Sequence, residues 1–164
     1  PDPSRCAATR ARVRGADAIQ NAPCPLERFD LKATITTIRF QRPGGATLPP
    51  EIADLLAPIA AAPPSGEQPL KTICDIRDRA TAALRSRGYI ASVQIPPQRI
   101  ESGELQLEVV TARLTEVRLN GDAGPYARTI EDRIAQLKAI DPFNARDAER
   151  VLLLAGDVPG LDAQ

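Results

Sequence analysis

The chain has 164 residues, 43% of them hydrophobic but only 3% aromatic, and it contains no Met, Trp or His. Its 21 Lys and Arg balance 21 Asp and Glu, so it lacks the basic excess that neutralises phosphates, and no nucleic acid is expected as a partner. The missing histidine removes the commonest general base and metal ligand, and no apolar run approaches the ~20 residues of a membrane-spanning helix.

Taken in chain order, residues 1–30 read as a lead-in or linker. Arg5, Arg10, Arg12 and Arg14 are scattered among small residues, and Pro23 and Pro25 break any helix. The chain starts at Pro1 without a signal peptide and reads as a processed form or an excised fragment. Its three cysteines, Cys6, Cys24 and Cys74, have no zinc-like spacing, so no metal site is expected. Cys6 and Cys24 flank a loop-like stretch while Cys74 falls in a helix, so the expected disulfide is Cys6–Cys24. That bond requires an oxidising compartment such as the periplasm. Three free thiols in a cytosolic protein are the alternative.

A first strand is expected from Leu31 to Gln41, rich in Thr and Ile. A helix follows from about Pro50, with Ile52, Leu55, Leu56 and Ile59 as its apolar stripe. Pro58 should kink or shorten its end. A second helix is expected from Thr72, with Thr72 and Asp75 as a capping box. Its inner face is Ile73, Ile76, Ala80, Ala83 and Leu84, with Cys74 beside it. Gly88 supplies the helix stop. Ile90, Ala91, Ser92, Val93, Gln94 and Ile95 form a strand that ends at Pro96-Pro97, which places it on a sheet edge. Ser102-Gly103 turns the chain into Leu105–Val110, the other arm of a hairpin.

The pattern then repeats. Ile35-Thr36-Thr37-Ile38-Arg39-Phe40 superimposes on Leu114-Thr115-Glu116-Val117-Arg118-Leu119. Both copies break strict alternation at the same place, which a shared bulge explains. The second copy continues with Ile130, Ile134 and Leu137 on one helix. Asn144 and Asp147 cap another, which carries Ala148, Val151, Leu152 and Ala155. The domains are therefore set at residues 1–30, 31–112 and 113–164. The last is expected to lack its closing hairpin and to be less ordered than the first or to self-associate.

The order βααββ, with Arg77-Asp78-Arg79-Ala80, Arg87-Gly88-Tyr89-Ile90, Pro96-Pro97-Gln98-Arg99-Ile100, Ser102-Gly103 and Leu107-Glu108-Val109-Val110, resembles POTRA domains. The second copy adds Asp147-Ala148-Glu149-Arg150, Leu152-Leu153-Leu154 and Asp157-Val158-Pro159-Gly160. The closer resemblance is to two-partner-secretion transporters of the TpsB type, the haemolysin secretion/activation protein family. It implies an α+β fold of tandem POTRA-like βααββ modules, each a three-stranded sheet covered by two helices. It also implies a place at the periplasmic face of the bacterial outer membrane. The partners it implies are an unfolded secreted polypeptide client and a C-terminal outer-membrane β-barrel of the same native protein.

The expected contact is β-augmentation on the edge strand Ile90 to Ile95, where unpaired backbone groups meet an extended chain. The alternative is a POTRA module of a barrel-assembly factor or cell-envelope scaffold. No cofactor and no catalysis are expected. Glu101 with Glu104, and Asp75 with Asp78, are carboxylate pairs whose turn and helix positions suit structural roles. Arg77, Asp78, Arg79, Arg85 and Arg87 read as a solvated helix face.

Overall fold

The computed structural model describes residues 10–14, 23–119 and 121–156. They fall into two compact units, one from residues 23–87 and 91–111, the other from residues 10–14, 88–90 and 112–156. Seven strands and four α-helices are described: β1 Arg10–Arg14, β2 Lys32–Thr34, β3 Thr37–Gln41, α1 Pro50–Ala60, β4 Glu67–Pro69, α2 Lys71–Ser86, β5 Ala91–Gln94, β6 Glu104–Thr111, β7 Arg113–Arg118, α3 Ala127–Lys138 and α4 Ala145–Gly156.

The first unit is an α+β module built on a three-stranded sheet in the order β3-β6-β5. β3 runs parallel to β6 and β5 antiparallel to it. With α1 and α2 between β3 and β5, the chain order is βααββ. Inward alternation along β6 buries Leu105, Leu107 and Val109, each at most 1% exposed. They meet Ile52 and Leu56 of α1 and Ile73, Ile76, Ala80 and Leu84 of α2 as one apolar core. Pro58 lies inside α1, which ends two residues later at Ala60.

The single strand expected from Leu31 to Gln41 is divided. β2 pairs antiparallel with β4, whereas β3 pairs with β6. Between them the Thr36 and Thr37 N–H groups both donate to Gly103 O, at 2.8 and 3.1 Å. Two residues opposite one acceptor make a bulge, and the bulge lets the chain change partners.

The capping box at Thr72 is replaced by a different start. α2 begins at Lys71 with Leu70 at its N-cap and no side-chain cap. The Leu70 N–H donates to Leu31 O at 3.1 Å, so the β2–β4 pairing delivers the chain to the helix. Gly88 follows the helix at φ +90°, as its position predicts.

The disulfide also differs from expectation. Cys24 bonds to Cys74, with a Cα–Cα separation of 5.7 Å, and Cys6 lies outside the described residues. Cys74 is on the buried side of α2. Closing the longer Cys24–Cys74 loop costs about 1 kcal/mol more entropy than closing Cys6–Cys24. Packing against α2 outweighs a difference that small.

In the second unit, β7 leads into α3 and α4, and β1 pairs antiparallel with β7. The expected lead-in therefore contains a strand over Arg10–Arg14, whose Arg-Ala-Arg-Val-Arg alternation is the period of a strand. Val13 stands opposite Leu114 and Arg12 opposite Glu116, so Thr115 bulges. Thr36 bulges at the matching position of the first copy. Asn144 caps α4, its Oδ1 accepting the Arg146 N–H at 3.0 Å. Residues 88–90 belong to this unit: Gly88 O accepts from Ala145 N at 2.7 Å and Ile90 N donates to Phe143 O at 3.2 Å. The exposed Arg118 guanidinium donates to Glu116, which raises its pKa further.

Candidate functional site: the β5 edge

β5 is an outer strand of the three-stranded sheet, and its usefulness as a docking edge depends on which backbone groups point away from β6. Its partners are Ala91↔Thr111, Ser92↔Val110, Val93↔Val109 and Gln94↔Glu108. Immediately before the strand, in the second unit, Ala112 N donates to Ile90 O at 2.9 Å. On the outer side, Val93 N donates to the Thr81 hydroxyl at 3.0 Å. An antiparallel ladder alternates hydrogen-bonded and non-hydrogen-bonded pairs. Ser92 and Gln94 therefore direct their backbones at β6, and Ala91, Val93 and Ile95 direct theirs outward.

This narrows the six residues expected at the edge. Ile90 lies in the other unit, with its N–H on Phe143 O and its carbonyl on Ala112 N. Ser92 and Gln94 serve the internal ladder. Ala91, Val93 and Ile95 form the outward row. Ala91 and Val93 are 0% and 3% exposed, because α2 packs along this side of the strand.

Thr81 is the residue that sequence reasoning missed. It is 7% exposed, accepts the Val93 N–H, and donates its own proton to Arg77 O at 3.0 Å. The signal available was a hydroxyl standing directly after Ala80 on an otherwise apolar helix stripe. Buried polar groups of that kind are normally hydrogen-bonded.

The strand stops at Pro96-Pro97, and the residue that follows replaces what the prolines cannot supply. Extending the β5–β6 register by two residues puts Pro96 opposite Gln106. Pro96 has no N–H to give. The Gln98 carboxamide instead donates to Gln106 O at 2.7 Å and accepts the Gln106 N–H at 2.8 Å. It also donates to Pro96 O at 3.3 Å. One side chain thus continues the ladder beyond the strand.

Beside this end lies a cavity of about 430 Å³, lined by Leu26, Leu70, Ile73, Ile95, Pro96 and Ile100 among others. Leu26 lies two residues from Cys24 and Ile73 directly before Cys74, so the Cys24–Cys74 disulfide joins two of the segments that line this cavity. The opposite edge of the sheet is β3. Thr37 points its N–H toward β6, so the alternate residues Ile38 and Phe40 direct their backbones outward there.

The charged helix face is mixed in character. Arg77 is 6% exposed and its Nε donates to Asp78 at 2.9 Å. Glu104 lies 3.4 Å from Arg39 and accepts from the Gln106 side chain. Among the described residues there is no group of three or more His, Cys, Asp or Glu suited to a metal ion. No helix among them is long and apolar enough to cross a membrane.

Residues 34–112 match the family model described as the POTRA domain, ShlB-type. No curated protein and no solved structure matches the chain. Domains of this family are protein-interaction modules. The matched residues hold the bulged β3, both helices, the Pro96-Pro97-Gln98 stop and all of β5 and β6. The segment 34–112, just under half of the chain, is thus similar to the ShlB-type POTRA domain.

Proposed function

We propose that this chain is the polypeptide-receiving region of a two-partner-secretion transporter at the periplasmic face of the outer membrane. In this reading it takes up an unfolded secreted client and guides it to a β-barrel of the same native protein. Residues 31–112 and 113–164 act as tandem modules, related by the bulge at Thr36 and Thr115. The observation that carries the reading is a family-matched sheet with an outward backbone row at Ala91, Val93 and Ile95. Backbone pairing tolerates varied client sequences, and the apolar cavity beside Ile95 adds room for a side chain. The Cys24–Cys74 disulfide fits an oxidising compartment.

The test is binding of the secreted polypeptide encoded beside this gene, to the parent chain and to Ile95→Pro and Ile95→Ala. Proline at 95 removes an outward donor without touching an inward ladder bond. Affinity should fall about tenfold in Ile95→Pro, the value of one hydrogen bond at the upper end of its net range. Ile95→Ala should lose less. Equal affinity of the parent and a folded Ile95→Pro removes β5 as the docking edge and directs attention to Ile38 and Phe40 on β3.

A further inference from the structure

We propose that Thr81 is a latch on the β5 edge: its hydroxyl occupies the Val93 N–H until an incoming strand replaces it with a carbonyl. The inference rests on the edge-docking function proposed above and adds to it how the edge is kept closed.

The geometry supplies both halves of a latch. In the closed state the hydroxyl is fully used, accepting from Val93 N and donating to Arg77 O, each at 3.0 Å. Both bonds are buried, and Val93 itself is only 3% exposed. A buried N–H without a partner is costly, so the outward donor of β5 has to be held by something when no client is present. An unguarded edge also invites pairing between copies of the chain, a hazard that proteins block by local devices. Here the device is a helix side chain, not a charge or a proline on the strand.

The open state begins with one rotation. A threonine in a helix divides between two χ1 wells, because its hydroxyl can bond the carbonyl of the preceding turn. Turning Thr81 about χ1 withdraws the hydroxyl from Val93, and because α2 packs along this side of β5, the docking strand also displaces α2 from the buried Ala91 and Val93. A client then exchanges one hydrogen bond for another at Val93, and its net gain comes from Ala91, Ile95 and the neighbouring cavity. The latch thereby selects for partners that present a backbone carbonyl at the register of Val93. It also lowers affinity for any strand that docks, which suits a receptor that must release its client.

The test compares the parent chain with Thr81→Ser, which keeps the hydroxyl, and Thr81→Val, which replaces it with a methyl of similar size. The probe is reduced, carboxymethylated lactalbumin, a permanently unfolded polypeptide. Without probe, the Val93 amide of Thr81→Val should exchange about tenfold faster relative to the inward amides of Ser92 and Gln94. With probe, Thr81→Val should bind about tenfold more tightly than the parent, since its unpaired Val93 donor gains a whole bond. Thr81→Ser should behave like the parent in both measurements. In the parent chain, three-bond couplings to the Thr81 methyl should report a change of χ1 well on binding, a readout that needs no variant to fold.

Parent and Thr81→Val affinities that agree, while the probe still shifts the Ala91, Val93 and Ile95 amides, overturn the latch and leave the edge reading standing. An unchanged Thr81 rotamer in the bound parent has the same meaning. Binding that leaves all three outward amides unmoved, or no binding by any of the three chains, overturns the edge reading and the latch with it.

Discussion

Gln98 shows how much one side chain carries in this sheet. Its carboxamide makes both hydrogen bonds that residue 96 would make if it were not proline, donating to Gln106 O at 2.7 Å and accepting from Gln106 N at 2.8 Å. Replacing it with leucine leaves a part-buried donor and acceptor of β6 without their partners. That change should cost about 2 kcal/mol, within the usual penalty for unpaired groups. Gln98→Glu keeps the acceptor for Gln106 N–H and loses the donor, so it should fall between leucine and the parent. Urea denaturation of the three chains checks the ranking; parent-like stability in Gln98→Leu would show that water restores both bonds. Gly103 is constrained for a second reason. It has φ +78°, and a Cβ there would stand 2.5 Å from Thr36 Oγ1, the residue that forms the bulge. The Pro-Pro-Gln stop and the Ser-Gly turn were both visible in the sequence, but their roles as a ladder substitute and a bulge clamp were not. Each role depends on a residue brought in from another strand, which no local pattern encodes.

At the scale of elements, the apolar periodicities located both helices of the first unit, its hairpin strands and the repeated helices of the second. Of the expected stripe, Ile73, Ile76, Ala80 and Leu84 are buried and Ala83 is half-buried. The bulge shared by the two copies was legible as the same break in alternation at Thr36 and Thr115. Three features were hidden, each for the same physical reason. β4 is only Glu67–Pro69 and exists through its pairing with β2. β1 exists through its pairing with β7. The disulfide partner of Cys24 was set by packing on α2 and not by nearness along the chain. The disulfide leads to a prediction. Cys24 and Cys74 are separated by 50 residues, and a loop of that length restricts the unfolded chain by about 4 kcal/mol in the chain-entropy treatment. Cys24→Ser with Cys74→Ser should lose stability of that order in a thermal or urea melt. Reducing the parent chain should lose a comparable amount, whereas Cys6→Ser should change little. A large loss from Cys6→Ser alone would overturn the Cys24–Cys74 pairing.

Across the whole molecule, the two units differ in how completely they cover their apolar surface. In the first, nine of the ten largest side chains that are almost wholly buried are aliphatic, Ile35 beside the bulge and residues of α1, α2 and β6, with Cys74 completing the set. In the second, Ala112 and Leu114 are 0% and 3% exposed, while Ile130, Leu137, Phe143 and Ala148 on and beside the helices are at 6–8%. Leu153 and Leu154 of α4 are 75% and 48% exposed and Leu119 after β7 is 36% exposed, whereas in the first unit the exposed Phe29 (46%) and Leu31 (61%) lie ahead of β2, outside the helices. Apolar burial contributes roughly 25 cal/mol per Å², so an uncovered helix face gives up stabilisation that the first unit retains. Opening free energies should follow that difference, because segments with fewer buried apolar contacts open locally before the rest. Hydrogen exchange followed by mass spectrometry should therefore find α2, β5 and β6 protected longest, and α4 and β1 exchanging earlier. The measurement has to be made on a monomeric sample at several concentrations. A face with Leu153 and Leu154 exposed can be covered by a second copy, and protection of α4 that rises with concentration would reveal that covering. Equal, concentration-independent protection of α2 and α4 would mean that α4 is held by interactions as strong as the aliphatic core of the first unit. The proposed asymmetry between the modules would then have to be abandoned.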